Sequence, residues 1–481
     1  ANATHSNNVA IGADALLVSV ADDNTAVGGG AMAACTTGNG NVGIGRAVLD
    51  ANTTGSSNVA VGANALGANT TAGENTAVGN NALLVCTTGA KNTAVGSAAL
   101  DELSTGSNNT AIGREALTKT TTGGNNTGLG YESLKENTTA SSNTAVGYQA
   151  AKLNTTGDGL TAVGSQALQA NTTGDDNVAI GGYSASTDTY ASMYANTTGS
   201  NNTAVGVGSL RTSTTGIENV AIGYQAMHAN TTASYNVAVG PYALDANTTG
   251  ASNIAVGRHA LTANTTASDN VAIGYNAGAA LTTGDKTVCI GNLAGDVKTT
   301  GTNNIFIGYG ADGYDADDNT EIVIGYTCIG VGTNYTTLGK GAGADRIYNY
   351  YVSNATWTRV SDERYKKDIA ANTDCGLAFI NELNPVTFKW KAKSEIDSSL
   401  PDYDASKTEP EHTEKMYGLV AQEVKAALDK HNITDFGGWD ETKGTEIQGI
   451  AQSMFVYPLI KAIQELDDKI DTLTARVAAL E

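Results

Sequence analysis

The sequence predicts an all-β repeat solenoid followed by a smaller α+β domain that ends in a coiled-coil helix. Three observations carry this: a 17-residue period through most of the chain, a change of composition near residue 360, and a C-terminal heptad of apolar residues. The period is set by a Val-Gly, Ile-Gly or Leu-Gly step that recurs 19 times between Gly12 and Gly325. The spacing is 17 residues except for a first step of 16 and a step of 25 between Gly181 and Gly206.

One copy reads Asn58-Val59-Ala60-Val61-Gly62-Ala63-Asn64-Ala65-Leu66, and a typical turn is Asn247-Thr248-Thr249-Gly250. β-Branched residues flank a small one before the glycine, the period-two pattern of a strand. Asn-Thr-Thr-Gly has turn chemistry. A short strand plus turns at constant period makes one solenoid coil per repeat. Coils stacked like paired strands, ~4.8 Å apart, give a shaft of roughly 90 Å over residues 1–338. Asparagine opens the strand in 16 copies, with Leu160, Thr287 and Glu321 as the exceptions, which predicts an amide ladder down the stack. The expected interior is Ala, Val, Ile and one Leu per coil, too thin to be durable without assembly.

Steps such as Asn92-Thr93-Ala94-Val95-Gly96 and Asn270-Val271-Ala272-Ile273-Gly274 resemble the head repeats of trimeric autotransporter adhesins. Those are left-handed parallel β-rolls joined as trimers, with repeats shorter than the ones here. The resemblance covers about residues 1–330 and implies three coils around a common axis. The number three comes from the resemblance, not from the period.

Composition divides the chain. Residues 1–360 hold 51 of the 57 glycines, and residues 361–481 hold four of the five prolines. The formal net charge of -21 falls as -12 before residue 361 and -9 after it. Neither part has the cationic surface that nucleic acid requires. No apolar run reaches membrane-spanning length, and no signal peptide is visible. The chain opens inside a repeat without Met, so an upstream anchoring segment is expected. The five cysteines show neither metal-ligand spacing nor a disulfide framework. Cys35 and Cys86 stand where the turn usually has Asn. No cofactor and no metal are predicted.

Candidate sites on the shaft are few. Tyr131, Tyr148, Tyr224, Tyr275, Tyr309 and Tyr326 each follow a repeat glycine. They form either an aromatic stripe that stacks on sugars or plain packing at a tolerant outer position. The Asn-Thr-Thr triplets at Asn52, Asn171 and Asn264 match both a glycosylation sequon and the turn that the repeat needs. Asp315-Ala316-Asp317-Asp318 is read as a solvated turn, lacking the spacing of a calcium loop. The extra residues around Tyr183–Tyr194 read as a loop on a rigid scaffold, where binding often resides.

After an aromatic-rich junction at 339–360 comes Ser361-Asp362-Glu363-Arg364-Tyr365-Lys366-Lys367-Asp368-Ile369. Two further stretches follow, Leu383-Asn384-Pro385-Val386-Thr387-Phe388-Lys389-Trp390 and Tyr417-Gly418-Leu419-Val420-Ala421-Gln422-Glu423-Val424. In this order the three resemble the peptidase S74 family, the intramolecular chaperones of phage tail spikes and fibres. The resemblance covers residues 361–481. It implies a domain that trimerises the chain, helps the shaft fold, and cuts itself off between Val360 and Ser361. Ser361 then matches the nucleophile and Lys366 the general base of a serine–lysine dyad. A serine hydroxyl needs such a base, and lysine serves only when neutral, its pKa depressed by burial or by cations such as Arg364 and Lys367. This would be a single-turnover endopeptidase with no external substrate.

Leu459, Ile463, Leu466, Ile470, Leu473, Val477 and Leu480 alternate spacings of 4 and 3, a heptad seam with Pro458 near its start. β-Branched residues at one seam position and Leu at the other favour two strands in parallel coils; the family likeness points to three. Asp374–Leu383 and Tyr417–Lys430 are expected to be wholly or partly helical.

The functional expectation is a trimeric fibrous adhesin or tail-fibre shaft on a virion. Its expected partners are two sister chains, a host-surface receptor or glycan, and other virion tail proteins through an N-terminal segment. Neither nucleic-acid binding nor membrane insertion is expected. A bacterial surface adhesin is the alternative, and a polysaccharide-degrading tailspike, which needs a carboxylate pair in a groove, is another. Ice binding by the Thr-Thr steps is a further class, to which the appended chaperone lends no support.

Overall fold

The computed structural model describes residues 6–183, 190–342, 345–352, 358–359, 369–399, 403–410, 413–441 and 448–480. The chain divides into two compact units, Ala1–Tyr365 and Lys366–Glu481.

The first unit is a β-solenoid. Nineteen three-residue strands, β1 (Val9–Ile11) through β19 (Ile322–Ile324), each begin one coil and pair in parallel with their neighbours. Register is strict: Val59, Ala60 and Val61 face Thr76, Ala77 and Val78, one repeat further along. After β19 the period shortens, and β20 (Tyr335–Gly339) pairs with it through Ile322↔Thr336. β21 (Arg346–Tyr350) and β22 (Thr358–Arg359) then continue the sheet antiparallel.

The interior differs from expectation in one respect. The middle residue of each strand points in, and the flanking Val, Ile or Thr points out. Ala60 is fully buried, whereas Ile11, Ile44, Ile112, Ile180 and Ile273 are exposed. With period-two alternation only one set of side chains can face inward, and the lumen of so thin a coil admits the small one. The core is therefore Ala from the strand plus an Ala-Leu pair from the following turn, such as Ala65 and Leu66. Volumes compensate between coils. Gly43 replaces the strand alanine where Met32 and Val48 fill the space, and Gly295 replaces the core leucine beside Phe306. Volume-conserving exchange of this kind is what close-packed interiors tolerate.

Buried polar groups form the other half of the interior. The Asn58 amide nitrogen and its Nδ2 both donate to Asn41 Oδ1, at 3.0 and 3.1 Å, and Nδ2 also donates to the Ala72 carbonyl at 2.9 Å. This is the expected ladder. Where Leu160 interrupts it, the backbone N–H still donates to Asn143 Oδ1 at 2.8 Å. The turn asparagines form a second ladder, with Asn171 Nδ2 donating to Asn154 Oδ1 at 2.9 Å. Asn52, Asn171 and Asn264 are all fully buried, so the triplets serve the turn and their amides are closed to glycosylation. Cys86 keeps the asparagine's role, its thiol donating to the Gly89 carbonyl at 3.2 Å, and burial pushes that thiol up to about 11. Gly62 ends its strand at φ +133, and a Cβ there would lie 2.4 Å from the Gly79 carbonyl oxygen of the next coil. That clash explains the glycine step.

The second unit is α+β. It contains α1 (Leu377–Ile380), β23 (Val386–Phe388), β24 (Met416–Gly418), α2 (Ala421–Lys430), β25 (Trp439–Glu441), β26 (Gln448–Ile450), a 3-10 turn at Gln452–Phe455 and α3 (Val456–Ala478). Its core is Cys375, Phe379, Val424, Ala427, Leu428, Ile433 and Phe455. The two expected helices are present in part: Met416–Gly418 is a strand, and the helix starts only at Ala421. Among the described residues no helix is long and apolar enough to cross a membrane.

Candidate functional site

The C-terminal unit places two of its sequence motifs side by side. β23 and β24 pair antiparallel, with Thr387 opposite Tyr417 and Phe388 opposite Met416. Phe388 meets Trp390 edge-on at 5.4 Å between ring centroids. Ile380, Leu383, Pro385, Tyr417, Phe455 and Leu459 line an apolar groove of about 370 Å³ beside this hairpin.

Leu459 belongs both to that groove and to the heptad seam. One edge of α3 packs into its own domain through buried Pro458 and Ala462. Glu465 Oε2 accepts the Leu377 N–H at 2.7 Å, capping α1, which has no side-chain cap of its own. The seam does the opposite. All seven of its residues are exposed, from 46% at Leu459 to 88% at Leu480. Val360, Ser361 and Lys366, the expected cleavage site and dyad, lie outside the described residues.

On the shaft, the tyrosine column is real but uneven. Tyr131 stacks on Tyr148 at 5.6 Å and Tyr309 on Tyr326 at 5.4 Å. Tyr224 instead meets Tyr242 edge-on at 5.4 Å, and Tyr242 stacks on His259 at 5.0 Å. Tyr275 is exposed. Beside the first stack, Glu132 accepts from Lys135 at 2.8 Å, Lys152 at 2.7 Å and Gln149 at 2.7 Å. Burial pushes the Glu132 carboxyl up, but these donors win and pull it down to about 2.

Two contacts escaped the sequence reading, the pairing of Lys298 with Glu321 and that of Arg211 with the expected Tyr183–Tyr194 loop. Lys298 and Glu321 occupy buried asparagine positions of the final coils, with Nζ and Oε2 3.2 Å apart and neither side chain exposed. Lys298 also lies 5.7 Å from the Phe306 ring. At the repeat's long step, Tyr190 lies 5.9 Å from Tyr183 and 4.8 Å from Tyr194, with the Arg211 guanidinium 4.3 Å above its ring. The available signal was coil position: Arg211 follows Tyr194 by one 17-residue repeat.

The architecture defines a class, a β-solenoid shaft with a small α+β C-terminal domain. Residues 361–433, which include all three C-terminal motifs, match the Peptidase_S74 family, described as chaperone of endosialidase; the C-terminal part of the chain carries that domain. No curated protein and no solved structure matches the chain.

Proposed function

We propose that this chain is a trimeric fibrous attachment protein of the tail-fibre kind. The shaft presents its coils to a host surface. The C-terminal domain joins three chains, guides their folding and then cuts itself off between Val360 and Ser361, with Ser361 as nucleophile and Lys366 as base.

The observation that carries this reading is the open seam of α3. An apolar stripe of seven exposed residues is uncommon on a protein that works alone, and burying each Leu or Ile is worth about 1.5–3 kcal/mol. The outward Val and Ile column of the shaft strands supports the same reading, since sister coils would cover it. The number three rests on the family match at residues 361–433 and not on the seam.

Masses of the purified protein under native and denaturing conditions test both parts. The expected native particle contains three chains, and the denatured wild-type shaft ends at Val360. Ser361→Ala and Lys366→Ala are expected to leave every chain at full length. A stable, folded single chain would remove the trimer, and normal shortening of both variants would remove the dyad.

A further inference from the structure

The long step between Gly181 and Gly206 leaves the solenoid lattice unchanged. Val178, Ala179 and Ile180 pair with Thr203, Ala204 and Val205 in the ordinary register. Asn202 N–H donates to Asn177 Oδ1 at 3.0 Å, and Asn177 Nδ2 donates to the Gly199 carbonyl at 2.7 Å, the pattern that Asn58 and Asn41 show. What the step adds is chemistry on the outer surface, namely the Tyr183, Tyr190 and Tyr194 cluster with Arg211 over the Tyr190 ring.

A polar row continues from it. Tyr194, Arg211, His228 and Asp245 each follow a buried core residue (Met193, Leu210, Met227 and Leu244) and so share one outward column. Arg211 Nη1 lies 3.1 Å from His228 Nε2. A guanidinium only donates, so Nε2 accepts and the ring proton sits on Nδ1, facing Asp245 Oδ1 at 3.8 Å. Asp245 Oδ1 is buried without a hydrogen-bond partner, while about a third of the Asp245 side chain stays open to solvent. Burial holds His228 below the usual imidazole range and pushes the Asp245 carboxyl up, partly offset by His228 and His259. The Tyr242–His259 stack adds a second aromatic patch near Asp245.

We propose that the surface built on Tyr183, Tyr190, Tyr194, Arg211, His228 and Asp245 binds a neutral saccharide. The proposal rests on the attachment reading above and names the place and ligand class of that attachment. The exposed Tyr183 ring and the partly exposed Tyr190 and Tyr194 rings take the apolar C–H face of a pyranose, while the partly exposed side chains of His228 and Asp245 meet its hydroxyls. Anionic sugars are disfavoured. The chain carries a net charge of -21, Asp245 offers an acceptor, and the Arg211 cation is already occupied by Tyr190 and His228. Adjacent coils, ~4.8 Å apart, advance by nearly the length of one sugar in an extended glycan, so successive coils can meet successive residues. The Tyr131–Tyr148 stack is different, because the charged groups beside it are paired with one another.

The test uses the full chain on an array of immobilised neutral and acidic oligosaccharides, and on a panel of bacterial cells before and after periodate oxidation of their surface sugars. The expected result is binding to neutral saccharides and to untreated cells. Tyr190→Ala and Asp245→Ala should each weaken it at least tenfold, while Tyr148→Ala leaves it unchanged and all three melt like wild type. Binding that survives both substitutions overturns the site while leaving attachment standing. Binding to acidic sugars alone overturns the ligand class. Adherence to cells that resists periodate overturns saccharide recognition and keeps attachment. No binding to any glycan or cell overturns both readings.

Discussion

The shaft and the C-terminal unit satisfy their side chains in opposite ways. In the shaft each coil is completed by the next: Asn58 bonds to Asn41 in the coil before it and to Ala72 in the coil after it. The interior closes within one chain, and the outward strand face stays open. The C-terminal unit buries a core around Phe379 and Phe455 but leaves a whole helix edge, Leu459 to Leu480, in water. A repeat can be its own partner, because its register supplies an identical neighbour. A unit without repeats has no such built-in neighbour for its open helix edge.

The largest expected effect breaks the second half of this comparison. Leu466→Asp together with Ile470→Asp places charge in the seam, and the native particle should fall from three chains to one in a sedimentation measurement. A particle that keeps three chains shows that the joint lies elsewhere. A smaller effect probes the shaft's own closure. Lys298→Ala strands the buried Glu321 carboxylate, which is expected to cost about 3–5 kcal/mol. Hydrogen exchange should quicken in the coils around residues 288–325 and stay unchanged near the centre of the shaft. Removing Lys119 from its exposed pair with Glu102 should change stability by less than about 1 kcal/mol.

The remaining effect concerns pH. Asp312 is 3% exposed, and burial, with a hydrogen bond to Asp296, raises its carboxyl to about 7. The unfolded chain releases that proton near pH ~4. Between those values the folded state holds more protons than the unfolded one, so this group's contribution to stability falls as pH rises. Asp312→Asn should flatten that part of the melting profile between pH ~4 and 7. Glu132 has the opposite sign, since its folded value is depressed to about 2. Its contribution is present above the ordinary glutamate range and is lost as pH falls toward 2.

The shaft was legible because every statement about one coil is tested 19 times. Strand, turn and asparagine ladder were all visible in the letters. Which side of the strand faces inward was not, since Val-Ala-Val alternates equally well either way; lumen width decides, and width belongs to the closed coil. The heptad was visible because its pattern is local. The β23–β24 pairing joins Thr387 to Tyr417 across a long polar stretch that carries no pairing signal. Glu321 stood out only as a break in the asparagine column and Lys298 not at all, because their meeting depends on the stacking of neighbouring coils. The Tyr190–Arg211 contact was missed for the same reason, although a 17-residue offset linked Arg211 to Tyr194.

The glycine step has a last implication, for growth. A carbonyl from the following turn sits where a Cβ would be at Gly62, Gly79 and Gly96 alike, so the junction between any two turns is interchangeable. Duplicating or excising a 17-residue block should therefore lengthen or shorten the rod by one increment of ~4.8 Å without a new joint. The longer step after Gly181 keeps the same strand register, with Val178 opposite Thr203. Such a gene can set reach in whole units, like beads threaded on a gauge.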